Sequence, residues 1–373
     1  MEIVLTQIIW RLAIILLTSF GVCMLVLLTQ RWHGRLSLDH DLSSAQKLHS
    51  RPVPRVGGLG LFIGLLVATL FSYLTNGSSY PTTLWLLISA LPVYFFGLME
   101  DLTKRVKVRT RLIASFASAG LAIWLLHARL LEVDTPILDN LLSLPTISVL
   151  FTIFAVAGVT HSINIIDGLN GLAAGAVSIM LMGLTAIAWQ HGDYLVVKLC
   201  LWGMAAMTGF LILNYPFGRI FLGDGGAYLA GFWLAECSVL LLVRNPHIST
   251  WSVLLICIYP VWETLFSIYR RHMLQRVNSG QADFAHLHQL LYKRFNSNEG
   301  RSDGSSTWIK HGLTSAIIWS LIAGCQLVAL TAQNNSALLA SSVLLFGLGY
   351  SRMYHALSTG IDQHGQPVHG AKV

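Results

Sequence analysis

Eleven stretches of this chain stay apolar for 16 to 22 residues at a time: 8–29, 57–75, 83–98, 112–127, 146–166, 172–190, 194–213, 227–243, 251–268, 313–332 and 336–353. A helix needs ~20 such residues to cross the hydrocarbon core of a bilayer, with ~17 as the lower limit. In lipid the backbone must satisfy its own hydrogen bonds, so each run is expected as a helix. Of the 373 residues, 54% are hydrophobic and 11% charged, against about 25% charged in soluble domains. So few charges cannot cover a water-soluble protein of this length, which excludes a soluble enzyme, a disordered protein and a nucleic-acid module. The expected fold is an all-α integral membrane protein, a polytopic bundle of 10–11 transmembrane helices. Residues 1–357 are expected as one membrane domain and 358–373 as a disordered tail.

The Lys and Arg residues supply an orientation. Nineteen of the 24 fall in connections 30–56, 99–111, 214–226, 269–312 and the tail, two (Arg129 and Arg244) in connections on the other side, and three within spans or at their ends. Basic residues collect in cytoplasmic connections, so the N-terminus is expected in the periplasm and the C-terminus in the cytoplasm. The five cysteines lie in apolar stretches without a CxxC pair, so neither a metal cluster nor a disulfide framework is expected. Arg11 interrupts the first apolar run and no small-residue cleavage site follows, so no cleaved leader is expected. No internal repeat or inverted duplication is visible, which weighs against a transporter.

Acidic residues are scarce, and their placement is informative. Glu100-Asp101 ends the third run and is followed by Lys104, Arg105, Lys107, Arg109 and Arg111. Two adjacent carboxylates beside cations suit a hydrated Mg²⁺ and phosphates together, because Mg²⁺ takes oxygen ligands and keeps water and phosphate in its shell. A basic cytoplasmic flank with acids at a helix end has the same pattern. Asn164-Ile165-Ile166-Asp167-Gly168-Leu169-Asn170-Gly171 puts two carboxamides and a carboxylate at the mouth of a tight hairpin. Asp-Gly and Asn-Gly are also ordinary turn pairs, but a turn has no need of Asn164 and Asp167 one turn apart on the preceding helix.

Residues 214–226 offer one acid, Asp224, among glycines before the eighth run, with Asn214 and the aromatic Phe221 upstream. Phe221 suits stacking on a base, and a Gly-rich helix start presents N–H groups to anions. A re-entrant turn with interfacial aromatics would look similar. His286 and His288, at i and i+2, do not share a helix face, which argues against a zinc clamp and for hydrogen bonds to phosphate. Arg51-Pro52-Val53-Pro54-Arg55-Val56-Gly57-Gly58 leads into the second run with two cations and a Pro-stiffened backbone. All five elements are predicted on one membrane face. Within the spans, Glu236 and Glu263 are functional candidates by default, whereas Lys198 lies near the end of its run and can snorkel.

On these residues the chain resembles the polyprenyl-phosphate N-acetylhexosamine-1-phosphate transferases. The likeness runs from Arg51 to about His288 with the family's motifs in order. Pro54-Arg55-Val56-Gly57-Gly58 looks like its first stretch, and Glu100-Asp101 with Lys104 looks like its acidic pair and following lysine. Asn164-x-x-Asp167-Gly-x-Asn170-Gly-Leu resembles its NxxDGxDGL block. Asn214 with Phe221 and Asp224 is similar to its nucleotide and metal element, and His286-Leu287-His288-Gln289 to its HxHH.

The resemblance implies a multi-pass enzyme of the bacterial inner membrane with a cytosolic active site. It would pass a sugar-1-phosphate from a UDP-N-acetylhexosamine to undecaprenyl phosphate, releasing UMP and starting an O-antigen or other envelope polysaccharide. Mg²⁺ is the implied cofactor, with Mn²⁺ as a substitute, and a homodimer is expected from the family only. By the same resemblance Asp224 and Asp101 serve the metal, and Glu100, Asp101 and Asp167 the chemistry. Asn164, Asn170, Asn214 and Phe221 would hold uridine and ribose. Lys104, Arg105, Arg51, His286 and His288 would contact phosphate or sugar.

Three positions depart from the family pattern: Glu100 for Asp, Asn170 for the second Asp of its block, and Gln289 for the last His. Amides keep hydrogen bonding but lose charge and titration. Two rival classes fit the residues less well. The CDP-alcohol phosphotransferases need an Arg and a downstream Asp pair after Asp-Gly, which Asp167-Gly168 lacks. A polyprenyl-lipid or sugar-lipid flippase would line both leaflets with polar residues, and it would release no UMP.

Overall fold

The computed structural model describes residues 2–38, 52–75, 77, 79–274, 283, 285–297 and 307–359. All eleven apolar runs fold as helices. They are α1 (Glu2–Ser37), α2 (Gly58–Leu74), α3 (Tyr80–Thr103), α4 (Val108–Leu126), α6 (Pro145–Ile166), α7 (Leu172–Gln190), α8 (Tyr194–Asn214), α9 (Gly223–Arg244), the pair α10 (Thr250–Ile256) and α11 (Ile258–Tyr269), α13 (Thr307–Thr331) and α14 (Ser336–Ser358). Among the described residues nine helices are long and apolar enough to cross a membrane, and the pair α10–α11, bent by 78°, makes a tenth. The eleventh, α2, has 17 residues and sits at the lower limit. Among the described residues the chain has no strand, only an isolated bridge between Leu38 and Pro54.

Several boundaries differ from the expected ones. α13 starts at Thr307 instead of 313, and α14 continues to Ser358. More consequentially, α9 starts at Gly223, so Gly223-Asp224-Gly225-Gly226 is its first turn and not a connection. Glycine costs about 1 kcal/mol in a helix relative to alanine, and the packing supplies the compensation: a Cβ on Gly58 would lie 2.5 Å from the Gly226 backbone. The helices touch at a distance that side chains forbid. Two further elements have no apolar run to announce them, α5 (Pro136–Leu142) and α12 (Leu287–Ser297). α12 lays Leu287, Leu290 and Tyr292 inward against α13 and α14. Arg51, residues 298–306 and the tail from 360 lie outside the described residues.

α9 is the axis of the bundle. It packs on α2, α3, α6, α7 and α8, and nearly all its residues are buried. Its first turn therefore brings Asp224 to the meeting point of several helix ends.

Candidate active site

The segment 52–58 straps across that meeting point. Arg55 N–H donates to the Ser37 carbonyl (2.9 Å), and the Pro54 carbonyl accepts from Phe221 N–H (2.8 Å). Gly57 and Gly58 N–H donate to the Phe221 and Leu222 carbonyls, both at 2.9 Å. These four bonds hold Arg55 beside the start of α9. Gly223 takes φ +75°, and a Cβ there would collide with the Arg55 carbonyl and the Asp101 carboxylate.

Asp101, in the last turn of α3, is buried and accepts from the backbone N–H of Asp224 (2.8 Å) and Gly225 (2.9 Å). A carboxylate there satisfies two orphan donors of the helix end and faces its positive dipole. Asp224 itself lies in a cage of donors. Its Oδ1 accepts from Arg55 Nη2 (3.4 Å) and Asn164 Nδ2 (3.2 Å), and its Oδ2 from Arg111 Nη1 on α4. Arg55 Nη2 is also 3.9 Å from Asp101 Oδ1. Asp167, at the C-cap of α6, senses the same charges: burial pushes its carboxyl up to about 7, Arg55 opposing and Asp224 adding. A carboxyl in that range is matched to proton transfer near neutrality.

Glu100 has a local duty, accepting from Val106 N–H (2.8 Å) across the α3–α4 turn. Lys104 ends α3 with φ 56°, and both it and Arg105 are exposed. Asn214 and Asn170 clasp two connections together. Asn214 Oδ1 accepts from Gly171 N–H (2.5 Å) and its Nδ2 donates to the Ile220 carbonyl (2.7 Å), while Asn170 Nδ2 donates to the Pro216 carbonyl (2.8 Å). Phe221 joins the strap through its backbone, and its side chain is half-buried.

The histidine pair forms a second group. His286 lies just before α12 and His288 within its first turn, so the helical argument against a shared face does not apply, and the rings stand parallel with centroids 5.6 Å apart. The intramembrane Glu263 holds them: its Oε1 contacts His286 Nδ1 (3.0 Å) and accepts from Leu287 N–H (3.2 Å). Burial pulls the His288 imidazole down to about 4, so it is neutral near pH 7. Among the described residues its Nε2 has no hydrogen-bond partner, and it faces the α6–α7 turn, where a Cβ on Gly168 would sit 3.0 Å away. Burial alone would raise Asp283, but His286, Arg270 and Ser267 hold its carboxyl well below the usual range. Glu236 stands twelve residues along α9 from Asp224, about 18 Å at 1.5 Å per residue, and takes no part in either group.

Sequence reasoning missed five members of these clusters as site residues. Arg55 and Arg111 were read only as flanking cations, Glu263 as an open candidate, and His161 and Tyr228 not at all. His161 Nε2 meets Ser115 Oγ (3.1 Å) and its ring packs on Tyr228, centroids 4.9 Å apart. Helix spacing could have found them. Ser115 follows Arg111 by four residues, Tyr228 follows Asp224 by four, and His161 precedes Asn164 by three, so each lies one turn along from a cluster member on the same face.

The donor set around Asp224 is oxygen from carboxylates, without thiolate or imidazole, which suits a hard divalent cation. No group of three or more His, Cys, Asp or Glu residues among the described ones would hold a metal alone. A cation here would have to complete its shell with water and substrate phosphate. Of the two carboxylates Asp224 is the more open to a cation, its side chain 12% exposed against 1% for Asp101.

A profile of the family described as Glycosyl transferase family 4 matches residues 83–242, the segment that carries Glu100, Asp101, Asp167 and Asp224. A Bacillus subtilis (strain 168) protein named probable undecaprenyl-phosphate N-acetylglucosaminyl 1-phosphate transferase is 30% identical over 258 residues, spanning 67% of this chain and 69% of that protein. The decaprenyl-phosphate N-acetylglucosaminephosphotransferase of Mycobacterium leprae (strain TN) is 28% identical over 283 residues, 65% of this chain and 67% of its own. The phospho-N-acetylmuramoyl-pentapeptide-transferase of Streptococcus uberis (strain ATCC BAA-854 / 0140J) is 26% identical over 302 residues, 76% and 86% of the two chains. A membrane bundle whose four acidic side chains fall inside the matched segment, together with relatives of this kind, leads to one conclusion: the chain belongs to glycosyl transferase family 4, among its polyprenyl-phosphate N-acetylhexosamine-1-phosphate transferases.

Proposed function

We propose that the protein transfers N-acetylhexosamine-1-phosphate from a UDP-sugar to undecaprenyl phosphate at the cytosolic face of a bacterial inner membrane. The observation that carries this reading is the cage around Asp224, where α3, α4, α6, α9 and the 52–58 strap bring carboxylates and two guanidiniums to one helix end. Two anionic phosphates can approach each other only where positive charge offsets their repulsion. The relatives' names, which specify polyprenyl phosphates and N-acetylated sugars, support the substrate class.

In the reaction an oxygen of the lipid phosphate bonds to the phosphorus nearest the sugar, and the bridging oxygen leaves with UMP. Mg²⁺ held by Asp224 would supply charge cancellation on the diphosphate. The chain's own residues do the rest by positioning and electrostatics, as in other phosphoryl transfers. Asp101 fixes the α9 start so that Asp224 points at the phosphates. Arg55 and Arg111 add positive charge, and Asn164 orients the Asp224 carboxylate. Asp167, with its raised carboxyl pKa, takes the remaining proton of the lipid phosphate. His286 and His288, braced by Glu263 next to the 167–171 turn, hydrogen-bond the donor's phosphate or sugar.

The test is UMP release by purified protein in detergent with undecaprenyl phosphate, Mg²⁺ and a panel of UDP-N-acetylsugars. Release that needs both lipid and Mg²⁺ is expected, and the best donor names the sugar. Folded protein that releases no UMP from any donor overturns the reading in favour of a lipid carrier.

A further inference from the structure

Arg111 has more hydrogen-bonding capacity than its surroundings use. One arm, Nη1, donates to Asp224 Oδ2, but its Nε is buried without a partner among the described residues. A buried N–H with no acceptor calls for an explanation, and a ligand that brings the acceptor is one. The planar edge of a guanidinium offers parallel N–H donors matched to phosphate oxygens. At the same time both Asp224 oxygens are engaged. Arg55 and Asn164 donate to Oδ1 and Arg111 to Oδ2, so a divalent cation approaching this carboxylate meets two guanidinium charges and binds firmly only when one of them moves away.

The two arginines are not equally able to do so. The strap fixes the backbone of Arg55, and its guanidinium is shared between Asp224 and Asp101, whereas among the described residues Arg111 pairs with Asp224 alone. Arg111 stands in the first turn of α4, just after an α3–α4 connection whose residues 103–105 are exposed.

We propose that Arg111 is an exchangeable cation. In the empty site it neutralises Asp224, and when substrate phosphate arrives it turns its Nε edge to the phosphate and releases Asp224 to the metal. The inference rests on the transferase reading above. It makes metal and phosphate binding mutually reinforcing, each raising the other's affinity by the same factor. It also keeps a divalent cation from loading the site firmly without substrate. The phosphate comes either from the nucleotide donor or from the lipid, and these sources are separable.

The test measures Mn²⁺ binding, read from the free-ion paramagnetic resonance signal, on the whole protein in detergent without substrate. Arg111→Gln should bind Mn²⁺ about tenfold more tightly than the unaltered chain, a change of ~1.4 kcal/mol. The same variant should bind UMP about tenfold more weakly if the donor is the partner, or undecaprenyl phosphate more weakly if the lipid is. Arg111→Lys, which keeps the charge but loses the planar edge, should restore weak Mn²⁺ binding without restoring phosphate affinity. Asp224→Asn should lose the Mn²⁺ site. A merely structural arginine predicts weaker binding of everything, so opposite signs for metal and phosphate are the signature. Mn²⁺ binding no tighter in Arg111→Gln, or unchanged affinity for both phosphates, overturns the proposal. Failure of the transferase reading shows separately, as Mn²⁺ binding by a protein that releases no UMP.

Discussion

The two ends of α9, about 33 Å apart for 22 residues, each carry an Asp–Arg contact, and they are built to opposite effect. At the far end Asp193 caps α8, its Oδ1 accepting from Val196 N–H (3.3 Å), while its Oδ2 accepts from Arg244 Nε (2.7 Å) and Asn245 Nδ2 (3.0 Å). One carboxylate meets one guanidinium, and Arg244 is 43% exposed to solvent. At the near end Asp224 meets two guanidiniums with Asp101 beside it, and Arg111 Nε is buried with no partner among the described residues. The same two residue types thus serve closure at one end and readiness at the other. What separates them is whether every buried donor has found its acceptor.

The contrast can be broken by substitution. The largest effect belongs to Asp224→Asn, which should lower UMP release by about a thousandfold or more, in line with loss of a transition-state electrostatic group. Its elution from a sizing column and thermal midpoint should stay near those of the unaltered chain; near-normal turnover would remove Asp224 from the chemistry. Next comes Asp101→Ala, which strands two helix N–H groups and should cost roughly 2–4 kcal/mol of stability, read by denaturant titration in detergent. Unchanged stability would mean that Asp101 does not anchor α9.

The third test uses pH. In the folded chain Asp167 keeps its proton up to about 7, whereas an unfolded chain releases it near ~3.9. Between those values the folded state binds more protons, so stability should fall as pH rises from about 4 to 7, by roughly 3 kcal/mol. With a chelator present to keep metals out, Asp167→Asn should flatten this slope, and an unaltered slope would assign the effect elsewhere. At the far end the expectations are smaller and spare activity. Asp193→Ala should lose about 1–2 kcal/mol as a missing cap with UMP release per folded molecule unchanged. Arg244→Ala, an exposed ion-pair partner, should lose about 0–1 kcal/mol. A turnover defect in either would blur the distinction between the two ends.

Legibility in the sequence followed the range of the interaction. Each of the eleven apolar runs became a helix because lipid-length apolarity is a local property, averaged over some twenty residues. Local too was the recognition that Glu100-Asp101, Asn164 to Gly171 and Gly223 to Gly226 were unusual. The start of α9 was misplaced by four residues because glycine argues against helix locally, and only the neighbouring backbones of Gly58 and Gly97 turn that liability into contact. Asn214 shows the same limit: its neighbours in sequence suggest a ligand, but its bonds run to Gly171 and Ile220.

By itself the sequence determined the solvent of this protein, its long apolar helices and the unusual polar segments that meet at the start of α9. Those follow from composition, length and charge, which add up along a chain without reference to its path. The tertiary structure alone decided which arginine meets Asp224, that Asp101 turns both its oxygens to α9, that Glu263 braces His286 and that Arg111 keeps a donor in reserve. Partners such as Arg111 and Asp224 lie 113 residues apart. Their meeting depends on how several helices pack around α9, and no local pattern encodes the distance between side chains that only packing brings together.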